Sequence, residues 1–319
     1  MHLHRLALIL ILATSTTLTQ VQQPGTDFRT LQHQPEAYSL FGKPLYRVEL
    51  PAQTKTQLDS NYAIAKANYN RDPNNADHII WLGRRAAYLG RYREAIDLFT
   101  EGIKKFPDDP RMYRHRGHRY ITVREFDKAI ADLEKATFLI RNRPDEIEPD
   151  GQPNRFNIPT STLNSNIWYH LGLAYYLKGD FANALRSYQE CMKYSTNPDM
   201  LCATSDWLYM TLRRLGKTEE AKNVLQPISN KMNILENHAY HRRLLMYKGE
   251  IAVDSLLNTA NASDLDIATQ GYGVGNWYLY NGQPQKAKEI FEKVLTGNMW
   301  AAFGYIAAEA DLKRMQDSK

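Results

Sequence analysis

The sequence predicts an all-α solenoid of antiparallel helical hairpins, and three observations carry that expectation. The first is self-similarity. Residues 79–107 laid over 113–141 repeat their marks at a shift of 34: Gly83 over Gly117, Tyr92 over Phe126, Ala95 over Ala129, Phe99 over Leu133. A fixed period of that size marks stacked supersecondary units. The second is local. In 167–178 the residues Trp168, Leu171, Leu173, Ala174, Tyr175 and Leu177 cover much of a helix surface. Lys178-Gly179-Asp180 then breaks the helix, and Phe181, Ala184, Leu185 and Tyr188 form the face of a second one. Glycine suits the break because it takes positive φ without a Cβ clash. The third is length. Helices of about 12 residues are marginal alone in water, so each hairpin needs the neighbours that an array supplies.

Residues 1–19 read as an export signal. Arg5 precedes a purely apolar stretch at 6–13, followed by small and polar residues. That stretch is short of the about 20 apolar residues a membrane span needs but suits the core of a signal peptide. Ala13 and Ser15 offer a cleavage site, and a cut near Thr19 is the alternative; no Cys follows to take a lipid anchor. The expected location is periplasmic or secreted. The competing reading is an uncleaved apolar N-terminus on a cytoplasmic protein. Residues 20–56, with Pro24, Pro35, Pro44 and Pro51, read as an extended arm with a β-like stretch at 46–50. Leu58, Tyr62, Ala65 and Tyr69 predict a helix that caps the first hairpin.

The solenoid is predicted over 57–319, as about six hairpins plus capping helices. Gly117 to Gly172 and Ala129 to Ala184 both span 55 residues, which is one period plus an insertion of 21 between complete units. The insertion lies near 142–165, is rich in Pro, Asn and Asp, and is expected to project as a loop. Later spacings are 37 (Gly179 to Gly216) and 33 (Gly216 to Gly249, Gly249 to Gly282). Trp300, Phe303 and Gly304 open a last helix that reads as a C-terminal cap.

These marks resemble the tetratricopeptide repeat family. Its pattern is an aromatic, Leu-Gly, Tyr, Gly before an aromatic, then Ala, an aromatic, Ala and Pro. The first unit offers Leu82, Gly83, Gly90, Tyr92, Ala95, Phe99 and Pro107; the second offers Tyr113, Gly117, Tyr120, Phe126, Ala129 and Ala136. The third offers Trp168, Leu171, Gly172, Tyr175, Gly179, Phe181, Ala184 and Tyr188. The fourth has Tyr209 in the Gly slot, the fifth (240–257) is degenerate, and the sixth recovers Gly275, Tyr278, Gly282, Ala287 and Phe291.

The resemblance implies a right-handed α–α superhelix whose first helices line a concave groove. It places Arg84, Tyr88, Arg111, Arg114, His118, Tyr169, Tyr176, Arg213, Tyr272, Asn276 and Tyr280 on that groove. Arg forks grip carboxylates, and Tyr adds rigid apolar area with a polar tip. The implied partner is therefore a protein or peptide segment, acidic with apolar anchors. The same Arg residues also fit plain solvated helix faces. The carboxylate clamp of some members is not matched, because Ile80 and Arg84 stand where its Lys and Asn belong. The implied role is a non-catalytic scaffold or adaptor. The alternative is an envelope glycan- or polymer-binding accessory subunit of an enzyme assembly, which would leave Trp81 and Trp207 exposed for stacking.

Other signals narrow the role. A formal net charge of +5 is too mild to argue for nucleic acid. Cys191 and Cys202, at the end of one hairpin and the start of the next, offer a disulfide worth about 3 kcal/mol by loop entropy. Buried free thiols are the equal alternative. His115/His118 and His238/His241 are pairs without a third ligand, and HExxH, GxSxG and Walker patterns are absent from the sequence. Glu146, Glu148, Asp150 and Gly151 resemble the start of a calcium loop, but Asn157 replaces the bidentate Glu and Pro149 and Pro153 interrupt it. Gly271, Gly273 and Gly275 follow no predicted strand. No catalytic residue, metal or cofactor is expected.

Overall fold

The computed structural model describes residues 34–257 and 264–317; the export signal expected at 1–19 lies outside them. Residues 34–51 are mostly irregular. Two short strands, β1 (Ala37–Tyr38) and β2 (Pro44–Leu45), pair antiparallel, so the β structure sits just ahead of the expected 46–50. The first helix, α1 (Ala52–Arg71), starts directly after Pro51, five residues before the expected boundary. A proline is tolerated at a helix start and not within it, so Pro51 sets that start.

The array follows as hairpins: α2 (Ala76–Tyr88) with α3 (Tyr92–Lys105), α4 (Pro110–Thr122) with α5 (Phe126–Leu139), and α6 (Leu163–Lys178) with α7 (Phe181–Met192). Next come α8 (Pro198–Arg214) with α9 (Thr218–Val224), the short α10 (His238–Tyr247) and α11 (Val253–Leu257), and α12 (Asp264–Tyr280) with α13 (Pro284–Leu295). The last described helix is α14 (Phe303–Asp317). Local chemistry starts several of them. The Asn75 side chain accepts from the Asp77 and His78 amides, and Thr162 and Ser165 cap α6 reciprocally.

The shift of 34 is a packing rule. A Cβ on Gly83 would lie 2.5 Å from the Phe99 ring, and one on Gly117 would lie 2.8 Å from Leu133. Gly172 faces Tyr188 and Gly275 faces Phe291 in the same way. Within each of these hairpins the small residue lets the large one of the second helix press onto the first. Five hairpin turns use glycines at φ of 72 to 86°: Gly90, Gly179, Gly216, Gly249 and Gly282. The second turn breaks the rule, with Arg124 in the corresponding position at φ 66°. A non-glycine residue there is disfavoured sterically, and the reason for it lies at the other end of the chain.

Arg124 reaches α14. Its guanidinium donates to Glu309 and to the carbonyls of Trp300 and Thr122. The Leu40 amide also donates to Glu309, and Trp300 Nε1 donates to the Tyr46 carbonyl. Further along α14, Asp311 takes Arg214 and Arg314, while Arg314 also bonds the Leu177 carbonyl. The expected C-terminal cap thus does more than cover the last hairpin. It turns back over α12 and α13 to α6 and fills the later part of the concave face. The insertion differs from expectation as well. It lies along the molecule instead of projecting. Ile147 bridges Thr162, the Gly151 carbonyl accepts from Arg85 on α2, and Thr160 donates to Glu236 beyond α9.

Candidate functional site

Two fates befall the expected groove residues. Tyr176, Tyr272 and Asn276 are fully buried against their own chain. The Tyr272 hydroxyl sits 2.8 Å from that of Tyr176 and 3.0 Å from Asp311, and Asn276 donates to Tyr176 at 3.0 Å. Burial pushes the Tyr176 hydroxyl up to about 12. For Asp311, burial opposes the charge, but Arg214 and Arg314 outweigh it and hold the carboxyl below its ordinary range. α14 has taken the place of a partner here, so these three side chains are core and not a recognition surface. Arg213 and Tyr280 are joined at the edge of this region, the guanidinium 4.4 Å over the ring and bonded to Asn281. Arg111 stands apart, paired with Asp109 and Asp77.

The other five, Arg84, Tyr88, Arg114, His118 and Tyr169, converge on one cavity of about 330 Å³. α2 supplies Arg84 and Tyr88, α4 supplies Arg114, His115, His118 and Arg119, and α6 supplies Asn166, Tyr169 and His170. The insertion adds Glu148, Pro149 and Asp150 along one side. Tyr240 of α10 and Phe303 of α14 complete an aromatic wall. Gly151 lets the insertion pass, since a Cβ there would run into the Tyr88 hydroxyl.

The electrostatics are uneven. Arg114 is buried, with Nε 3.0 Å from Glu148 Oε2 but off the line of a hydrogen bond. Its other arm donates to His115 Nδ1 at 3.0 Å, which leaves the proton of a neutral imidazole on Nε2. Arg119 has no carboxylate partner among the described residues; it lies 5.7 Å from the Tyr92 ring centroid. Burial lowers its pKa to about 10. Arg84 likewise has no acidic partner among the described residues and stacks 4.6 Å over Trp81. Burial, reinforced by these cations, drives His115, His118 and His170 well below the usual imidazole range. The rings of His118 and His170 lie 4.3 Å apart, and His170 Nδ1 bonds the Asn166 carbonyl at 2.6 Å. Neutral rings packed this closely cost no charge repulsion. No group of three or more residues able to hold a metal ion occurs among the described residues.

Sequence reasoning missed Arg119, His170, Glu148 and Phe303. Arg119 and His170 sit one residue after His118 and Tyr169, at positions that belong to neither the groove set nor the packing marks of the repeat. Glu148 and Phe303 come from segments outside the pattern. Trp207, offered as a stacking platform under the glycan alternative, is 1% exposed and packs on Tyr176 and Tyr272. Cys191 and Cys202 are free, buried thiols and not a disulfide. The Cys191 sulfur bonds the Ser165 carbonyl and meets the Thr204 hydroxyl, and burial pushes both thiols up to about 12.

Comparison with known proteins agrees with this architecture. Two tetratricopeptide repeat family profiles match, one over residues 82–146 and one over 165–198. The chain carries tetratricopeptide repeats over these residues, and such repeats support a general role as a protein-interaction scaffold. A Bos taurus protein, BBSome complex member BBS4, is 25% identical over 202 residues, or 63% of this chain and 32% of that protein. The chain therefore spans about a third of that relative. Among solved structures, a tetratricopeptide repeat protein from Parabacteroides merdae aligns at a TM-score of 0.46 and 15% identity, covering 79% of this chain and 93% of its own. YrrB, described as having an unusual peptide-binding site, aligns at 0.41 and 15% identity, covering 74% and 95%. Among the described residues no helix is long and apolar enough to cross a membrane.

Proposed function

We propose that the chain is an exported, non-catalytic scaffold that holds an acidic segment of a partner protein at the mouth of the Arg84–Arg114–Arg119 cavity, with apolar anchors against the aromatic wall. One observation carries this. Five concave residues of the first three hairpins converge on a single opening whose cations are only partly neutralised, while the later concave face is filled by α14. Arg forks and tyrosines are the side chains that grip acidic segments with apolar anchors. Nucleic acid is a poor fit, because the basic groups form one cavity and not a stripe that tracks a backbone.

The test is affinity capture from the protein's own compartment with wild type and Arg84→Glu. Arg84 is half-buried and unpaired, so its reversal leaves the fold intact, and the expected result is loss of the captured partner at unchanged helix content. Equal capture by the variant would overturn the assignment of the mouth. Export is tested separately by mass spectrometry of the native N-terminus. A start beyond 13 supports it, and an intact Met1 refutes it.

A further inference from the structure

The charge inside the cavity does not balance. Three guanidinium groups, Arg84, Arg114 and Arg119, line it. One largely covered carboxylate, Glu148, answers them, and it is shared between Arg114 and the Asn166 amide. The two other carboxylates on the lining, Asp150 and Glu236, are exposed, and Glu236 is occupied by Thr160 and Asn154. The three imidazoles are held neutral and add no charge. Half-buried Arg84 and Arg119 therefore leave the cavity with about two positive charges more than its own carboxylate cancels. A half-buried guanidinium with no acidic partner has lost part of its hydration, and an anion arriving from outside restores a counter-charge.

We propose that the cavity recognises a dianionic group, a phosphate monoester or two adjacent carboxylates, carried on a small apolar or aromatic body. This deepens the reading of the mouth as the docking point and rests on it. The planar guanidinium forks match the oxygens of either group. Tyr169, Tyr240 and Phe303 form a wall where an aromatic or aliphatic body can rest. A cavity of about 330 Å³ lies at the small end of known ligand sites, which suits one functional group and its immediate body and not a length of chain. Neutral imidazoles sharpen the choice. They add no charge, so the net requirement stays near two, and the one proton of His170 is already given to the Asn166 carbonyl.

Three probes with the same ring separate the possibilities: phenyl phosphate and phthalate as dianions, and benzoate as the monoanion. Binding to the full chain is followed by calorimetry at pH 7.5 and low salt. At least one dianion is expected to bind saturably and at least tenfold tighter than benzoate, a difference of about 1.4 kcal/mol. Phenyl phosphate ahead of phthalate assigns a phosphate source, and the reverse order assigns a dicarboxylate. Arg119→Gln is expected to weaken the better dianion at least tenfold. Arg84→Gln, at the rim, does the same should the first variant fold poorly. Glu148→Gln is expected to tighten binding, because it removes the opposing carboxylate. Benzoate binding as well as both dianions, no binding by any probe, or affinities unchanged in both arginine variants would overturn the inference. Loss of probe binding alongside intact Arg84-dependent partner capture would sink this inference and leave the scaffold reading standing; loss of that capture alone would sink the scaffold reading.

Discussion

The first three hairpins and the last ones present the same concave positions of the same repeat to opposite ends. In the first, Arg84, Arg114 and Arg119 surround a cavity and are short of carboxylates. Under α14, by contrast, Arg124 of the second turn and Arg214 of α8 meet Glu309 and Asp311, and every one of these four groups is paired. A tetratricopeptide groove is thus neither binding surface nor core by its own nature. It becomes core where the chain supplies its own occupant. It stays open where no described segment covers it.

The closed region should respond most strongly to loss of one partner. Glu309→Ala strips Arg124 of its buried carboxylate and should cost about 3–5 kcal/mol, read by denaturant unfolding. A loss below about 1 kcal/mol would mean α14 is loosely held, and the contrast between the regions would collapse.

The open region should instead govern the pH response. The three imidazoles have folded pKa values below the unfolded value near 6.5. Unfolding therefore takes up protons, and stability present above that pH is lost as it falls. Each imidazole contributes about 1.4 kcal/mol per pH unit between its two pKa values. Buried Asp206 opposes this, since burial raises its pKa to about 6 despite Arg243 and favours the folded state as pH falls through that value. Unfolding curves at pH 7.5 and 5.5 should still show a clear net loss at the lower pH. No loss would show that the cavity already holds charged imidazoles.

Both regions share the hairpin contact, so Gly117→Leu should cost about 1–3 kcal/mol by overpacking against Leu133. An unchanged melting temperature would remove Gly117 from the interface. The smallest stability change is expected for Arg84→Gln, within about 0.5 kcal/mol, because half-buried Arg84 has no acidic partner among the described residues to lose. A larger loss would mean that Arg84 supports the fold as well as the mouth.

Much of this was readable beforehand. Gly83, Phe99, Gly117 and Leu133 recur because every hairpin solves the same packing problem, and a repeated problem leaves a repeated mark. Arg84, Tyr88, Arg114, His118 and Tyr169 were assigned to the groove by the same logic, and the structure brings them around one cavity. Tyr176, Tyr272 and Asn276 were placed there too, yet nothing local shows that α14 would cover them. One signal was available and passed over. Arg124 stands where its sister turns have glycine, and a residue kept in a left-handed conformation at some cost is kept for its side chain.

The chain's own order of residues determined the helices, their turns and the pairing of neighbours, because those depend on contacts a few dozen positions apart that recur down the array. Only the tertiary structure decided which part of the concave face remains open. That outcome depends on Arg124 meeting Glu309 across 185 residues and on an insertion tied to Arg85 of α2 and Arg114 of α4. Pairings of that kind occur once, carry no period, and become visible only when the chain is folded.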